Sequence, residues 1–356
     1  MRGFARVSVA VPVCSVGGFQ QNVDETLSLW KRAHDDRSNV VVFPELGLST
    51  YTARDMFLDR TLLDTSLAAL ERICVETRAL EPLGFVGMPV EDARGIYNVA
   101  VAVQRGKILA VIPKSYLPNY REFEERRWFR PGTEVRASST IRLLGGEVPF
   151  GTDILFVADG PSAPKGLVVG VEICEDIWVQ VPPSMKQVGA GATVCCNLSA
   201  SNFTIGKADL RRLLARSASD RGKCAYLYVA AGPGESSTDL AFDADAFVCE
   251  NGNLVAESRR FARESQIVSV DVDLEQLLHE RRQTGTFGDN AVENVFQPRR
   301  IAFSAGEARG FKREIPAHPF LPRDQETLAR RLWEILQIQT KTLTTHMTTL
   351  SSSTHK

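Results

Sequence analysis

Three residues far apart in the chain each stand where an apolar run stops. Glu45 ends VVVFPE, Lys114 ends LAVIPK and Cys174 ends VVGVEIC. A cysteine is a good nucleophile only as its thiolate. A carboxylate within hydrogen-bond reach can take the thiol proton and later return it to a leaving amine. A nearby ammonium stabilises the oxyanion that develops, by a few kcal/mol in a dry site. It also keeps the carboxylate from standing alone among apolar walls. Glu, Lys and Cys thus make a complete set for acyl transfer from an amide or a nitrile. Singly, each has a plainer reading: a surface charge, a solvated lysine, a core thiol. Taken in this order, in matching strand-end settings, the catalytic reading is much the better one, because sites of sheet proteins collect at such ends.

The elements that must position these groups run from Phe4 to about Val272. FARVSVAVPV reads as a buried strand, and NVVVFPE as a strand covered on both faces. Further strands are expected in GFVGMPV, IYNVAVAVQRGKILAVIPK, DILFVA, GLVVGVEIC, ATVCCNLS, KCAYLYVAA, DAFVCENGNLVAES and SQIVSVDVD. Helical spacing marks Val23 to Ala33 and Leu62 to Ala79, and helices are expected at about Pro182 to Ala190 and Lys207 to Arg221. Arg105-Gly106-Lys107 and Glu250 to Asn253 read as tight hairpin turns. The sum is a mixed α/β domain with a sheet-rich core and helices outside. After Asp273 the pattern changes. Leu274 to Arg282 reads as helix, TGTFGDNAVENVFQPRR as a turn-rich stretch, and about Asp324 to Ile338 as a further helix. Of the last sixteen residues nine are Ser or Thr, which reads as a linker or frayed end.

Composition narrows the class. The chain has 356 residues, 44% hydrophobic and 24% charged, with a net charge of −1, inside the range of folded soluble domains. The near-zero charge argues against a partner that is nucleic acid or a membrane surface. No apolar run approaches the ~18 residues that span a bilayer, and Met1 to Ser8 lacks the apolar core of a signal peptide. The seven cysteines (Cys14, Cys74, Cys174, Cys195, Cys196, Cys224 and Cys249) include no C-x-x-C pair, so neither a disulfide framework nor a zinc site is expected. Scattered histidines suggest no metal cage. The reading is a cytoplasmic protein in a reducing compartment. There is no G-x-S-x-G and no phosphate-binding G-x-x-x-x-G-K-[ST], and the Gly189-Ala-Gly191 stretch lacks the third glycine of a dinucleotide fingerprint. Glu172, two residues back along the strand from Cys174, is expected to share its face and to structure the site without acting as base.

F-P-E, P-K-x-Y-L and I-C-E-D, in this order, resemble the nitrilase (carbon–nitrogen hydrolase) superfamily. The resemblance covers roughly Phe4 to Asp273 and implies an α/β fold, a four-layer αββα sandwich, here with a C-terminal extension. The longer stretches KSYLPNYREFEERRWFRPG, VEICEDIWVQVPPS, NLSASNFTIGKADLRRLLARSAS, GPGESSTDLAFDADAFVCENG and TGTFGDN are similar to the glutaminase portion of the glutamine-dependent NAD synthetases. That resemblance implies Glu45 as general base, Lys114 as oxyanion-stabilising cation and Cys174 as the nucleophile that forms a glutamyl thioester. Tyr120 and Phe123 would line the glutamine pocket, Glu175 would contact the substrate, and Ser201 and Arg211 would hold its α-amino and α-carboxylate ends. An arginine grips a carboxylate by paired hydrogen bonds, and Arg211 and Arg212 open a helix after the NLSASNF loop, so that one of them can face inward. The same two arginines also suit the exposed face of an amphipathic helix. YREFEERRW reads as a charged loop with ion pairs, or as a surface that meets a partner subunit.

The family's synthetase domain opens on S-G-G-x-D-S, which this sequence lacks. The expected organisation is a nitrilase-like glutaminase domain over 1–273, a helical extension over 274–340 leading toward an absent synthetase domain, and a Ser/Thr-rich tail over 341–356. Hydrolysis of L-glutamine needs no cofactor on this reading; ATP, Mg and deamido-NAD would belong to the missing domain. The family's habit implies a homo-oligomer, with the loop around Trp128 and the segment after Asp273 as candidate contact surfaces. The alternatives are a stand-alone nitrilase-type amidase acting on another small amide, and a non-catalytic scaffold that has kept the fold.

Overall fold

A computed structural model describes residues 3–315, 317–318, 321–322 and 324–353 of the chain. Continuous runs of valine and alanine build a first sheet from β1 (Phe4–Val11), β2 (Val40–Val42), β3 (Leu83–Asp92), β4 (Gly95–Gln104) and β5 (Lys107–Pro113). Helices α1 (Phe19–Asp35) and α2 (Arg60–Glu76) separate the first three of these strands. A short ribbon, β6 (Thr140–Leu143) with β7 (Gly146–Pro149), leads to a second sheet. It contains β8 (Ile154–Asp159), β9 (Val168–Ile173), β10 (Val194–Leu198), β11 (Ala225–Val229), β12 (Ala246–Glu250) and β13 (Asn253–Glu257), with α3 (Pro183–Gly189) and α4 (Lys207–Gly222) as crossovers. The chain then returns to the first sheet as β14 (Gln266–Asp273), followed by α5 (Leu274–Gln283), α6 (Gly285–Glu293) and β15 (Arg299–Ser304). The first sheet has the order β14-β1-β2-β3-β4-β5 and the second β13-β12-β11-β10-β9-β8-β15.

The period-two alternation of each strand sorts its side chains into layers. Val40 and Val42 join Val7, Val9, Phe85, Val169, Val171 and Leu198 in a core between the two sheets. Val41, one residue out of phase, packs with Val23, Leu27, Trp30, Leu70 and Ile73 of α1 and α2. On the other side Cys195, Tyr226 and Phe247 face Val188, Ala215 and Ala218 of α3 and α4. The result is the four-layer αββα sandwich. Each fully buried Val, Leu or Phe contributes about 1.5–3 kcal/mol, and the inter-sheet layer holds the sheets in register. All seven cysteines are free and buried.

Both expected hairpin turns are present, with Arg105 (φ 49°) and Gly106 (φ 76°) in one and Asn251 (φ 46°) and Gly252 (φ 80°) in the other. Two consecutive left-handed residues match the twist of the flanking strands.

The structure differs from the sequence expectation beyond Asp273. The compact unit does not end there but runs to Lys312. β15 extends the second sheet by pairing in parallel with β8, and the stretch expected to be turns contains α6. Arg6 ties the following segment down: its guanidinium pairs with Asp271 (2.8 and 2.9 Å) and reaches the carbonyls of Arg309 and Gly310. A second unit begins at Arg313. Its helix α7 (Gln325–Ser353) continues well past Ile338 through the threonine-rich stretch expected to be a linker. There the hydroxyls of Thr342, Thr344, Thr345, Thr348 and Thr349 bond to the carbonyl four residues earlier, so their polar groups are met within the helix itself. Thr354, His355 and Lys356, the end of the expected tail, lie outside the described residues. No helix among the described residues is long and apolar enough to cross a membrane.

Candidate active site

β2, β5 and β9 all point their carboxyl ends to one crevice, two from the first sheet and one from the second. β2 runs on through Phe43 and Pro44 to Glu45. That turn lies against β3 at Gly87, where a Cβ would come within 2.5 Å of the Leu46 nitrogen and the Pro44 oxygen. Only glycine allows the approach. β5 delivers Lys114 immediately after Pro113, and the Lys114 carbonyl accepts the Gly132 N–H at 2.6 Å. β9 delivers Cys174, whose backbone is left-handed (φ 45°). This breaks the strand alternation and corrects one expectation: Cys174 turns into the inter-sheet core with Ile173, while Glu172 faces the α3 layer, accepting the Ser184 N–H at 2.8 Å.

Lys114 and Glu45 are in direct contact, and Cys174 lies within the reach of their charges. Lys114 Nζ donates to Glu45 Oε1 at 2.6 Å, with both side chains fully shielded. Asn98 Nδ2 donates to the same oxygen at 2.6 Å, and the Ala200 N–H donates to Glu45 Oε2 at 2.7 Å. The Cys174 sulfur lies close enough to Glu45 and Lys114 to feel their charges. Burial, then the Glu45 carboxylate, push the Cys174 thiol far up, with Lys114 opposing. This setting favours the Cys174 thiol over its thiolate, so any reaction at this sulfur needs a group nearby that can take the proton.

Sequence reasoning passed over the fourth member of this cluster. Glu125, in the loop read as surface ion pairs, is fully buried and accepts from Lys114 at 2.6 Å and from the Tyr51 hydroxyl at 2.8 Å. Burial raises its carboxyl to about 7, Glu45 adding to the rise and Lys114 opposing it. Its Oε2 has no partner. Burial lowers the Lys114 ammonium, but Glu125 and Glu45 outweigh that and lift it well above the ordinary lysine value. Nothing in the sequence marks Glu125 among the other acids of its loop. Asp176 was also missed: it is buried and accepts the N–H groups of Ile173 (3.0 Å), Ser115 (3.3 Å) and Tyr116 (2.9 Å), so it joins the Lys114 loop to the Cys174 loop.

The mouth of the crevice holds most of the remaining expected residues. Tyr120 is half-exposed; its hydroxyl donates to Glu175 at 2.8 Å and its ring meets Phe123 edge-on at 6.0 Å. Ser201 is buried, its hydroxyl 3.4 Å from the Asn202 carbonyl. Arg211 does not present its Nη groups to the crevice. Nη1 binds Asp243 (2.8 and 2.9 Å), and Nη2 binds the carbonyls of Ser201 (3.0 Å) and Asn202 (2.6 Å). It shapes the loop instead. The cation at the mouth is Lys207, one turn earlier on α4, with Nζ 2.6 Å from Asn202 Oδ1 and about 5.5 Å from the Phe123 and Trp178 rings. Burial pulls its ammonium below the usual lysine value, with the nearby Cys174 opposing. Asn202 is in turn held by Glu122 at 2.8 Å. Trp128, a candidate contact residue, is buried against Phe57 and Phe129, while the adjacent Arg127–Asp55 pair is exposed. Among the described residues no group of three or more His, Cys, Asp or Glu is arranged to hold a metal ion.

Residues 10–280 match the carbon–nitrogen hydrolase family. The glutamine-dependent NAD(+) synthetase of Mycobacterium tuberculosis (strain ATCC 25618 / H37Rv) is 46% identical over 344 residues, covering 95% of this chain and 50% of that protein. The synthetase of the same description from Thermotoga maritima is 33% identical over 277 residues, covering 77% of this chain and 43% of that one. The chain thus spans about half the length of these relatives. Among solved structures, a glutamine-dependent NAD(+) synthetase from Cytophaga hutchinsonii matches with a TM-score of 0.66 at 24% identity, over 75% of this chain and 43% of that one. Saccharomyces cerevisiae Nit3, of the nitrilase superfamily, matches with a TM-score of 0.60 at 20% identity, over 80% and 95%. Sequence and architecture agree on one conclusion: the chain belongs to the carbon–nitrogen hydrolase family, the nitrilase superfamily, and is a hydrolase of carbon–nitrogen bonds.

Proposed function

We propose that this chain is a glutamine amidohydrolase, the glutaminase half of a glutamine-dependent NAD synthetase, with Glu45, Lys114 and Cys174 as its catalytic residues. The observation that carries this reading is the meeting of a buried carboxylate, ammonium and thiol beneath a mouth that offers opposite charges, Lys207 and Glu175. Free glutamine is a zwitterion, so its α-carboxylate suits a cation and its α-ammonium suits an acceptor. Lys207 takes the part first expected of Arg211. Glu175, Tyr120, Phe123 and Ser201 complete the pocket.

Glu45 takes the thiol proton as Cys174 Sγ attacks the carboxamide carbon. The carbonyl oxygen gains negative charge beside Lys114 Nζ. As the tetrahedral centre collapses, the C–N bond breaks and Glu45 returns its proton to the departing ammonia. A water then attacks the glutamyl thioester, Glu45 takes its proton, and the C–S bond breaks to give glutamate and the thiol. The ammonia would serve an amidation of deamido-NAD on a synthetase half, where ATP and Mg belong. A homo-oligomeric, cytoplasmic enzyme is part of the same reading.

The test incubates the protein with a diazo-ketone analogue of glutamine and measures ammonia release from glutamine. Expected are a single adduct on Cys174, none on Cys174→Ala, and glutamate with ammonia in equal amounts. A neutral amide hydrolysed faster than glutamine would overturn the substrate and leave a nitrilase-type amidase. Absence of both adduct and turnover would overturn the catalytic reading.

A further inference from the structure

Behind the nucleophile lies a buried polar cluster that touches no substrate. In the parallel pairing of β9 with β10, Asn197 stands beside Glu172. Their neighbours Val171, Ile173, Cys196 and Leu198 belong to the inter-sheet core, so these two side chains point the other way, toward the α3 and α4 layer. Both are at most 1% exposed. The Asn197 carboxamide embraces the main chain of Cys174: Oδ1 accepts the Cys174 N–H at 3.1 Å, and Nδ2 lies 3.5 Å from the Cys174 carbonyl. Oδ1 also accepts the Ser199 hydroxyl at 2.8 Å, and Nδ2 lies 3.5 Å from Glu172 Oε1. Glu172 receives two more donors, the Tyr226 hydroxyl and the Ser184 N–H.

The polarity of this arrangement runs one way. Oδ1 faces the Cys174 N–H and the Ser199 hydroxyl, which donate to it, and Nδ2 faces Glu172 Oε1 and the Cys174 carbonyl, which accept. A flipped amide would set its oxygen against the Glu172 carboxyl and the Cys174 carbonyl and turn its NH2 group toward the Cys174 N–H. The residue so gripped is the one whose left-handed backbone (φ 45°) aims the thiol. Left-handed backbone at a residue with a Cβ persists only when its surroundings impose it. We propose that Asn197 is a positioning residue for the nucleophile, holding Cys174 in its left-handed conformation, and that Glu172, itself fixed by Tyr226, sets the direction in which the Asn197 amide faces. This rests on the reading of Cys174 as the nucleophile of amide hydrolysis.

The test reverses the polarity. Asn197→Asp keeps the shape but turns the donor side into an acceptor facing Glu172 and the Cys174 carbonyl. The double variant Asn197→Asp/Glu172→Gln restores one donor, since a glutamine amide can donate to the new carboxylate. Four quantities are measured: kcat and KM for glutamine, the thermal midpoint, and the rate of Cys174 alkylation by iodoacetamide, read by peptide mass spectrometry. A displacement of the nucleophile by an ångström lowers rate about 100-fold. N197D is therefore expected to lose about 100-fold in kcat with KM changed less than threefold, and to alkylate at a different rate from the parent. The double variant is expected to regain about tenfold of the lost kcat. If N197D does not fold, the double variant measured against E172Q reads the same coupling. A kcat per alkylatable Cys174 within threefold of the parent, whatever the change in thermal midpoint, would reduce Asn197 to a structural residue. A parent protein that hydrolyses no glutamine would overturn the glutaminase reading instead, and the alkylation rates would still decide the positioning: equal rates in N197D and the parent overturn it.

Discussion

Two buried clusters of charge lie within one sandwich. In one, a single ammonium, Lys114, serves two carboxylates, Glu45 and Glu125. In the other, Arg211, Arg212 and Arg260 surround the two carboxylates of Asp243 and Asp245. Both bury their carboxylates and both are densely bonded, although Arg212 and Arg260 keep part of their surface in solvent. They differ in the balance of charge and in what is left over. Around Asp243 and Asp245 the charges balance, since Glu257 also pairs with Arg212, and the oxygens of both aspartates are engaged. Around Lys114 the carboxylates are in excess, Glu125 keeps an oxygen without a partner and a carboxyl near neutrality, and a thiol stands next to the pair. Burial and charge alone do not make a reactive centre. An excess of acceptors, able to take and return a proton, does.

This contrast can be broken at either end. The largest effect is expected for Glu45→Gln, which removes the base while keeping the shape. Loss of a general base typically costs 10²–10⁴-fold, so kcat/KM for glutamine should fall by about that range, with a lower thermal midpoint because Lys114 keeps only Glu125 as a buried partner; a loss below about tenfold per folded molecule would mean that another group takes the thiol proton. Next comes Arg211→Met. Breaking a buried ion pair costs about 3–5 kcal/mol, so denaturant titration should show a loss of that order, while kcat per folded molecule stays near the parent value. A kcat collapse at full stability would place Arg211 in the chemistry. Lys207→Met should raise KM for glutamine by about tenfold, the worth of one charge-assisted contact, with kcat nearly unchanged, and Lys207→Arg should restore much of it. The smallest effect concerns pH. The Glu125 carboxyl lies at about 7 against an ordinary 4.5, so the folded state holds its proton more tightly than the unfolded chain. The stability this adds is complete below pH 4.5 and is lost as pH rises to about 7. Thermal midpoints measured between pH 4.5 and 8 should therefore decline less steeply for Glu125→Gln than for the parent.

Much of this was legible before any coordinates. Glu45, Lys114 and Cys174 stood out because each interrupts a run of apolar residues, and such runs declare their strands strongly. The residues that escaped are those whose direction is decided by tertiary packing. Glu125 and Glu124 are neighbours of the same charge in one loop, yet one is sealed inside and the other faces Arg54 at the surface. Arg211 looked the better carboxylate ligand because of its forked guanidinium, but Asp243 had claimed it, and the compact ammonium of Lys207 reached the mouth. β15 was missed because RRIAFS sits on an edge and buries only Phe303 fully, so its pattern carries little apolar signal. The threonine-rich part of α7 reads as a linker by composition, since hydroxyls that bond back along a helix leave no trace in hydropathy.

The proposed base and cation are carried by the first sheet and the proposed nucleophile by the second, and the two are aligned by the apolar layer between the sheets together with a few polar ties, Asp176 between the Lys114 and Cys174 loops and the Ala200 N–H on Glu45. Turnover is thus a gauge of alignment between layers. Mild denaturant or pressure that lets one sheet slip should silence the enzyme while circular dichroism still shows every strand in place.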